Sequence, residues 1–175
     1  MEIINGERLV LGTCYYPEHW DESLWRDDLR RMLENGIEVI RIAEFAWSKI
    51  ERYEGVFNYD FFDRFLDLAE EMGMKVIFCT PTATPPAWLT EKYPEVLNAN
   101  MDGVLYRHGA RRHYNYNSPK YQELTRIIVE KSASHYAKHP AIIGWQIDNE
   151  LNCEKDVFYS ESDTIAFRKF LEKKY

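Results

Sequence analysis

The sequence predicts an α/β fold, a parallel sheet covered by helices, and three observations carry that prediction. Strand-like and helix-like segments alternate four times along 175 residues. No linker or low-complexity tract interrupts them. Polar and aromatic side chains crowd the carboxyl end of each strand segment. Regular alternation gives parallel strands, because each helix returns the chain to the edge where the next strand starts.

The first strand segment, "RLVLGTCYY" at 8–16, is rich in branched and aromatic residues. The helix at 21–36 places Trp25, Leu29, Met32 and Leu33 on one face, with Asp21 as N-cap and Gly36 as stop. "EVIRIAEFAW" at 38–47 reads as the second strand. The helix at 58–73 spaces Phe62, Phe65, Leu66, Ala69 and Met72 along one stripe, capped by Asn58 and ended by Gly73. "KVIFCTPT" at 75–82 is the third strand, and a long irregular stretch follows it. Ser118-Pro119 opens a helix that runs to His139, since proline suits a first helical position. The fourth strand is "AIIGWQIDNE" at 141–150, and 162–175 forms a fourth amphipathic segment.

No glycine-rich phosphate loop follows any strand, which disfavours a dinucleotide-binding sheet. Tyr15, Tyr16, Glu18, His19 and Trp20 follow the first strand, Glu44 and Trp47 the second, Thr80, Thr82 and Trp88 the third, and Asp148 to Glu150 the fourth. In a (β/α)8 barrel that face holds the active site, so the barrel is the better reading. A complete barrel needs roughly 250 residues and eight units. Residues 1–175 are therefore expected to be the amino-terminal part of one (β/α)8 TIM barrel domain, supplying about four βα units.

Composition narrows the function classes. A net charge of −7 with no Lys/Arg run argues against nucleic acid. The first residues are too weakly apolar for a signal peptide, and no span approaches transmembrane length, so neither export nor a membrane partner is expected. Cys14, Cys79 and Cys153 are odd in number and lack C-x-x-C spacing, which favours a reducing cytoplasm. The five histidines, His19, His108, His113, His135 and His139, show no metal-ligand spacing, so a metalloenzyme is not expected.

The chemistry concentrates in "IDNE". Cleaving a glycosidic bond with retention needs two carboxyl groups about 5 Å apart, one to protonate the leaving oxygen and one to attack the sugar. Glu150 at a strand end suits the proton donor, and Asn149 suits a sugar hydroxyl. Strand neighbours point to opposite faces, so both can address one ligand only where the strand twists or bulges. The competing structural reading makes Asp148 or Asn149 a helix cap and Glu150 a solvated acid. Trp20, Trp47, Trp88 and Trp145 are candidate platforms for sugar C–H faces, although any single one equally suits the core. "RHGARRHYNYNSP" at 107–119 adds a long basic loop of the kind that is often functional. Arg107 and Arg112 alone are read equally well as solvated charges.

Together "YYPEHW", "RIAEFAWSKIE", "TPTATPPAWL", "RRHYNYNSP" and "WQIDNE" resemble glycoside hydrolase family 42, the β-galactosidases of the large retaining barrel clan, in the right order over nearly the whole chain. The resemblance implies small β-D-galactosides as substrates, retention of configuration, no cofactor and often a homotrimer. It implies Glu150 as acid/base, Asn149 as the sugar-binding amide before it and Arg111 as the arginine touching the galactose site. The family's nucleophile is a glutamate at the end of the seventh strand, beyond Tyr175, so residues 1–175 alone are expected to be inactive and to associate with themselves or with a complementing carboxy-terminal half. Glu18 and Glu44 are expected to line the pocket or brace Arg41, Arg111 or Tyr16. Some relatives hold zinc through a cysteine cluster with one member directly after "RRHY"; here that residue is Asn115 and Cys153 stands alone, so no metal is expected. Two alternatives stay open: a non-catalytic sugar-binding or scaffold half-barrel, and a clan relative acting on another β-glycan.

Overall fold

The predicted alternation becomes a four-stranded parallel sheet in the computed structural model, which describes residues 9–109, 112–151 and 158–175. Strand β1 (Leu11–Cys14) leads through a tight turn at Pro17–His19 into α1 (Glu22–Glu34). Strand β2 (Ile37–Ile42) is followed by a short helix α2 (Trp47–Ile50), a hairpin of β3 (Glu51–Tyr53) and β4 (Val56–Phe57), and α3 (Asp60–Glu71). Strand β5 (Lys75–Cys79) precedes α4 (Ala87–Lys92) and α5 (Pro119–Tyr136); β6 (Ile142–Gln146) and α6 (Glu161–Lys174) complete the series.

The sheet order is β1-β2-β5-β6, with every pairing parallel. A doubly wound sheet would reverse its order at a switch point. Uninterrupted succession is what a barrel requires, and the sheet has it.

Local chemistry accounts for the helices. The Asp21 side chain accepts from Ser23 N at 2.9 Å and opens α1, and Gly36 follows it at φ 79°. The Ser118 hydroxyl accepts from Tyr121 N at the start of α5, with Pro119 in the first turn. At α3 the expectation is one residue out: Tyr59 occupies the cap, while Asn58 Oδ1 accepts from Asp60 N at 2.9 Å. Between sheet and helices lies a core rich in rings, with Trp25, Phe62, Phe65, Phe78 and Tyr136 all buried. Trp25 meets Phe65 edge-on at 5.1 Å, an arrangement the ring quadrupoles favour.

The strands are shorter than the sequence segments. The second ends at Ile42 because Ala43 turns into the left-handed region at φ 73°, so Trp47 belongs to a helix and not to a strand. The stretch expected to be irregular before α5 contains α4 and two isolated antiparallel bridges, Leu97 with Tyr114 and Ala99 with Leu105. Among the described residues, no helix is long and apolar enough to cross a membrane.

Candidate active site at the strand ends

Two linked networks form at the carboxyl ends of the strands. The first spans β1, β2, β5 and β6. Glu44 is fully buried, and its Oε1 accepts from Tyr16 Oη at 2.8 Å and from Arg41 Nη2 at 2.7 Å. Its Oε2 faces the Cys79 thiol at 3.6 Å. Arg41 Nη1 donates across the sheet to Gln146 Oε1 at 2.8 Å, and Gln146 Nε2 donates to Asn149 Oδ1 at 3.2 Å and to Asp148 O at 2.8 Å. Burial, then the neighbouring Glu44 carboxylate, pushes the Tyr16 phenol up to about 12, so it stays a donor. Glu44 thus braces Arg41 and Tyr16 as expected. Glu18 does not: it lines a separate cleft with Lys49, Phe61 and Arg64.

The second network holds the "IDNE" turn. Extended structure ends at Gln146, and both Asp148 (φ 54°) and Glu150 (φ 47°) are left-handed. The strand's alternation therefore ends before Asn149 and Glu150, which is the condition for both to reach one ligand. Asp148 is buried: its N–H donates to Thr80 Oγ1 at 2.7 Å, and its Oδ2 accepts from Thr82 Oγ1 at 3.0 Å. Arg112, 4% exposed, lies against Asp148 Oδ1 at 3.4 Å and donates to the phenols of Tyr114 and Tyr116, each at 2.6 Å. Its Nη2 donates to the main-chain carbonyls of Asn149 and Glu150. Burial, and then the Asp148 charge, hold the Tyr114 phenol protonated far above its ordinary range.

The residues singled out in the sequence separate clearly. Asn149 is half-buried within the network and Glu150 is exposed at its rim. Among the described residues, neither Asp148 nor Asn149 caps a helix; Ser160 caps α6, in a reciprocal box with Asp163. Arg111 and Cys153 lie outside the described residues. Asn115 is fully buried and donates from Nδ2 to Ser160 Oγ at 2.6 Å and Asp163 Oδ2 at 2.5 Å, tying the loop to α6. Of the platform candidates, Trp47 is excluded, being fully buried. Trp88 donates to Glu51 O at 3.0 Å and Trp145 packs 5.4 Å from Phe78, which leaves Trp20, 54% exposed, as the open ring.

Two further side chains hold the network: Arg112, which the sequence left evenly balanced between a functional and a solvated reading, and Gln146, which it did not single out. Arg107 is exposed and Arg112 buried, yet both sit in the same basic loop. Gln146 had a usable signal, a polar residue at the last strand position beside the acid cluster. Among the described residues, Asp67, Glu70 and His139 come close enough to share a cation. They lie beside the start of β6, at the other end of the sheet, and His139 Nδ1 already accepts from Ala141 N at 3.3 Å.

A parallel, unreversed strand series with acids, amides and an arginine meeting at its carboxyl ends defines the first part of a (β/α)8 enzyme barrel. Residues 14–175 match the family model of glycoside hydrolase family 42, described as β-galactosidase, and the chain belongs to that family. It is 42% identical over 166 residues to β-galactosidase Bga of Halorubrum lacusprofundi, covering 94% of this chain and 24% of that protein. Against β-galactosidase BgaA of a Thermus species it is 43% identical over 167 residues, covering 95% and 26%. The crystal structure of a β-galactosidase from the psychrophilic Marinomonas ef1 superposes with a TM-score of 0.92 at 43% identity, covering 95% of this chain and 26% of that one. The chain thus spans about a quarter of the length of the curated relatives it matches.

Proposed function

We propose that this chain supplies the acid/base side of the active site of a retaining β-galactosidase, with Glu150 as the acid/base, Asn149 as a sugar-binding amide and Arg111 as a contact to galactose. The observation that carries the reading is the left-handed turn after β6, which frees Asn149 and Glu150 from strand alternation at the barrel's catalytic end. Family membership and the names of the relatives support the galactosyl specificity.

The steps follow from two carboxyl groups. Protonated Glu150 gives its proton to the glycosidic oxygen as the bond from that oxygen to the anomeric carbon breaks. A carboxylate from a later barrel strand attacks the anomeric carbon from the opposite face, forming a glycosyl ester. The alcohol leaves, water takes its place, and Glu150, now a carboxylate, removes a proton from that water as it attacks. The ester carboxylate departs, both carboxyl groups return to their starting states, and the sugar keeps its configuration. The family resemblance supports a homotrimer. The free thiols of Cys14 and Cys79 support a reducing compartment such as the cytoplasm.

Glu150→Ala in the complete enzyme tests the assignment. Loss of the acid is expected to cost about 10²- to 10⁴-fold with poor leaving groups such as lactose. Nitrophenyl galactoside, which needs little protonation, should lose less, and azide should restore turnover by replacing the water that Glu150 activates. Unchanged lactose turnover would remove Glu150 from the mechanism.

A further inference from the structure

We propose that Arg112 is a positioning residue that sets the placement of Glu150 by clamping the main-chain carbonyls of Asn149 and Glu150, one before and one after the Glu150 Cα. The proposal rests on the reading of Glu150 as acid/base and extends it to the group that aims it.

Three observations carry it. Arg112 is buried at 4% exposure, so its guanidinium is withdrawn from solvent and serves the protein interior. Its Nη2 donates to the carbonyls of Asn149 and Glu150, while Nη1 is fixed by Tyr114, Tyr116 and Asp148. The segment it grips is strained, with Asp148 at φ 54° and Glu150 at φ 47°. Non-glycine residues persist in that region only when their surroundings over-determine them.

A guanidinium presents its donors in one fixed plane, so a single side chain can hold phenols with one nitrogen and two carbonyls with the other. A lysine ammonium keeps the charge beside Asp148 but cannot reproduce the fork. Without the clamp, Glu150 relaxes from its left-handed conformation and its carboxyl group moves relative to the leaving oxygen. General acid catalysis requires hydrogen-bond reach to that oxygen, so the displacement acts on protonation first.

The test compares Arg112→Lys, Tyr116→Phe and Glu150→Ala in the complete enzyme, with lactose as the poor leaving group and nitrophenyl galactoside as the good one. Arg112→Lys should lower kcat/KM on lactose by about 100-fold through kcat, and on nitrophenyl galactoside by less than about 3-fold. Tyr116→Phe removes one of the groups fixing the guanidinium and should show the same selectivity to a smaller degree. If Arg112→Lys does not fold, that selectivity in Tyr116→Phe alone decides in favour. Equal losses on both substrates, or lowered thermal stability with unchanged kinetics, would overturn the proposal. A Glu150→Ala enzyme with normal lactose turnover would instead show that the acid/base reading itself had failed, and the proposal would fall with it.

Discussion

Glu18 and Glu44 follow successive strands, yet their surroundings offer a buried carboxylate very different partners. Glu44 is fully buried, with a phenol, a guanidinium and a thiol on its oxygens. Glu18 has both carboxyl oxygens buried and no hydrogen-bond partner for either among the described residues. Burial raises its pKa above the ordinary glutamate range. The native state therefore binds the Glu18 proton more tightly than the unfolded chain does. Stability from this group is complete below the ordinary glutamate pKa and is lost as pH rises through the folded value. Glu18→Gln should raise the melting temperature by a few degrees at about pH 7, since an unsatisfied buried group costs on the order of 1 kcal/mol or more. The gain should vanish at roughly pH 4, where Glu18 in the parent is largely protonated. Thermal melts at the two pH values check it, and a pH-independent gain would contradict the assigned cause. The sequence placed both acids at strand ends but could not tell them apart, because partners such as Tyr16, just past β1, and Cys79, in β5, come from other parts of the sheet. The same limit left Arg112 and its loop neighbour Arg107 equally balanced, although Arg112 is buried and Arg107 exposed.

At the scale of elements, a single buried acid joins α2, the β3–β4 hairpin and α4. Glu51 Oε2 accepts from Trp47 Nε1 at 2.7 Å, its Oε1 accepts from Gly55 N at 2.8 Å, and its carbonyl accepts from Trp88 Nε1 at 3.0 Å. Trp47→Phe keeps most of the packing but removes the indole donor from a buried carboxylate. The expected loss is about 1–3 kcal/mol, read as a lower urea midpoint at unchanged slope. A stability within a few tenths of the parent would mean that Glu51 finds another donor. The helices α1, α3 and α5 were legible because cap residues and a 3.6-residue apolar period recur over three or more turns. The hairpin was not, since β4 has two residues and its one clear signal was Gly55, at φ 78° in the turn. Strand ends were overextended for a related reason. Ala43 leaves the extended region although nothing about an alanine announces it, and Asp148, a residue type that tolerates positive φ, is held there by Thr80 and Thr82.

For the whole molecule, the order of strands was legible and the closure of the sheet is the open physical matter. Parallel sheets are stable when both faces are covered. Here all four residues of β1 are exposed, Leu11 to 59% of its surface. Helix α6 has no buried residue, and its Phe167 and Phe170 are 60% and 55% exposed. At the other edge Ile147, just past β6, is 73% exposed. An open edge strand at the β1 end, and uncovered rings and an exposed isoleucine at the β6–α6 end, favour pairing with another chain. Residues 1–175 produced alone should therefore self-associate, with the sedimentation coefficient rising as concentration is raised. They should also fail to hydrolyse nitrophenyl galactoside, because a retaining reaction needs a second carboxylate about 5 Å from Glu150, which the proposed function assigns to a later strand. The two outcomes are separable. A monomer without turnover would show that the edges are protected by some other means while the division of catalytic groups stands. Turnover by the isolated chain, lost in Glu150→Ala, would place the nucleophile among these four units and end the assignment to a later strand.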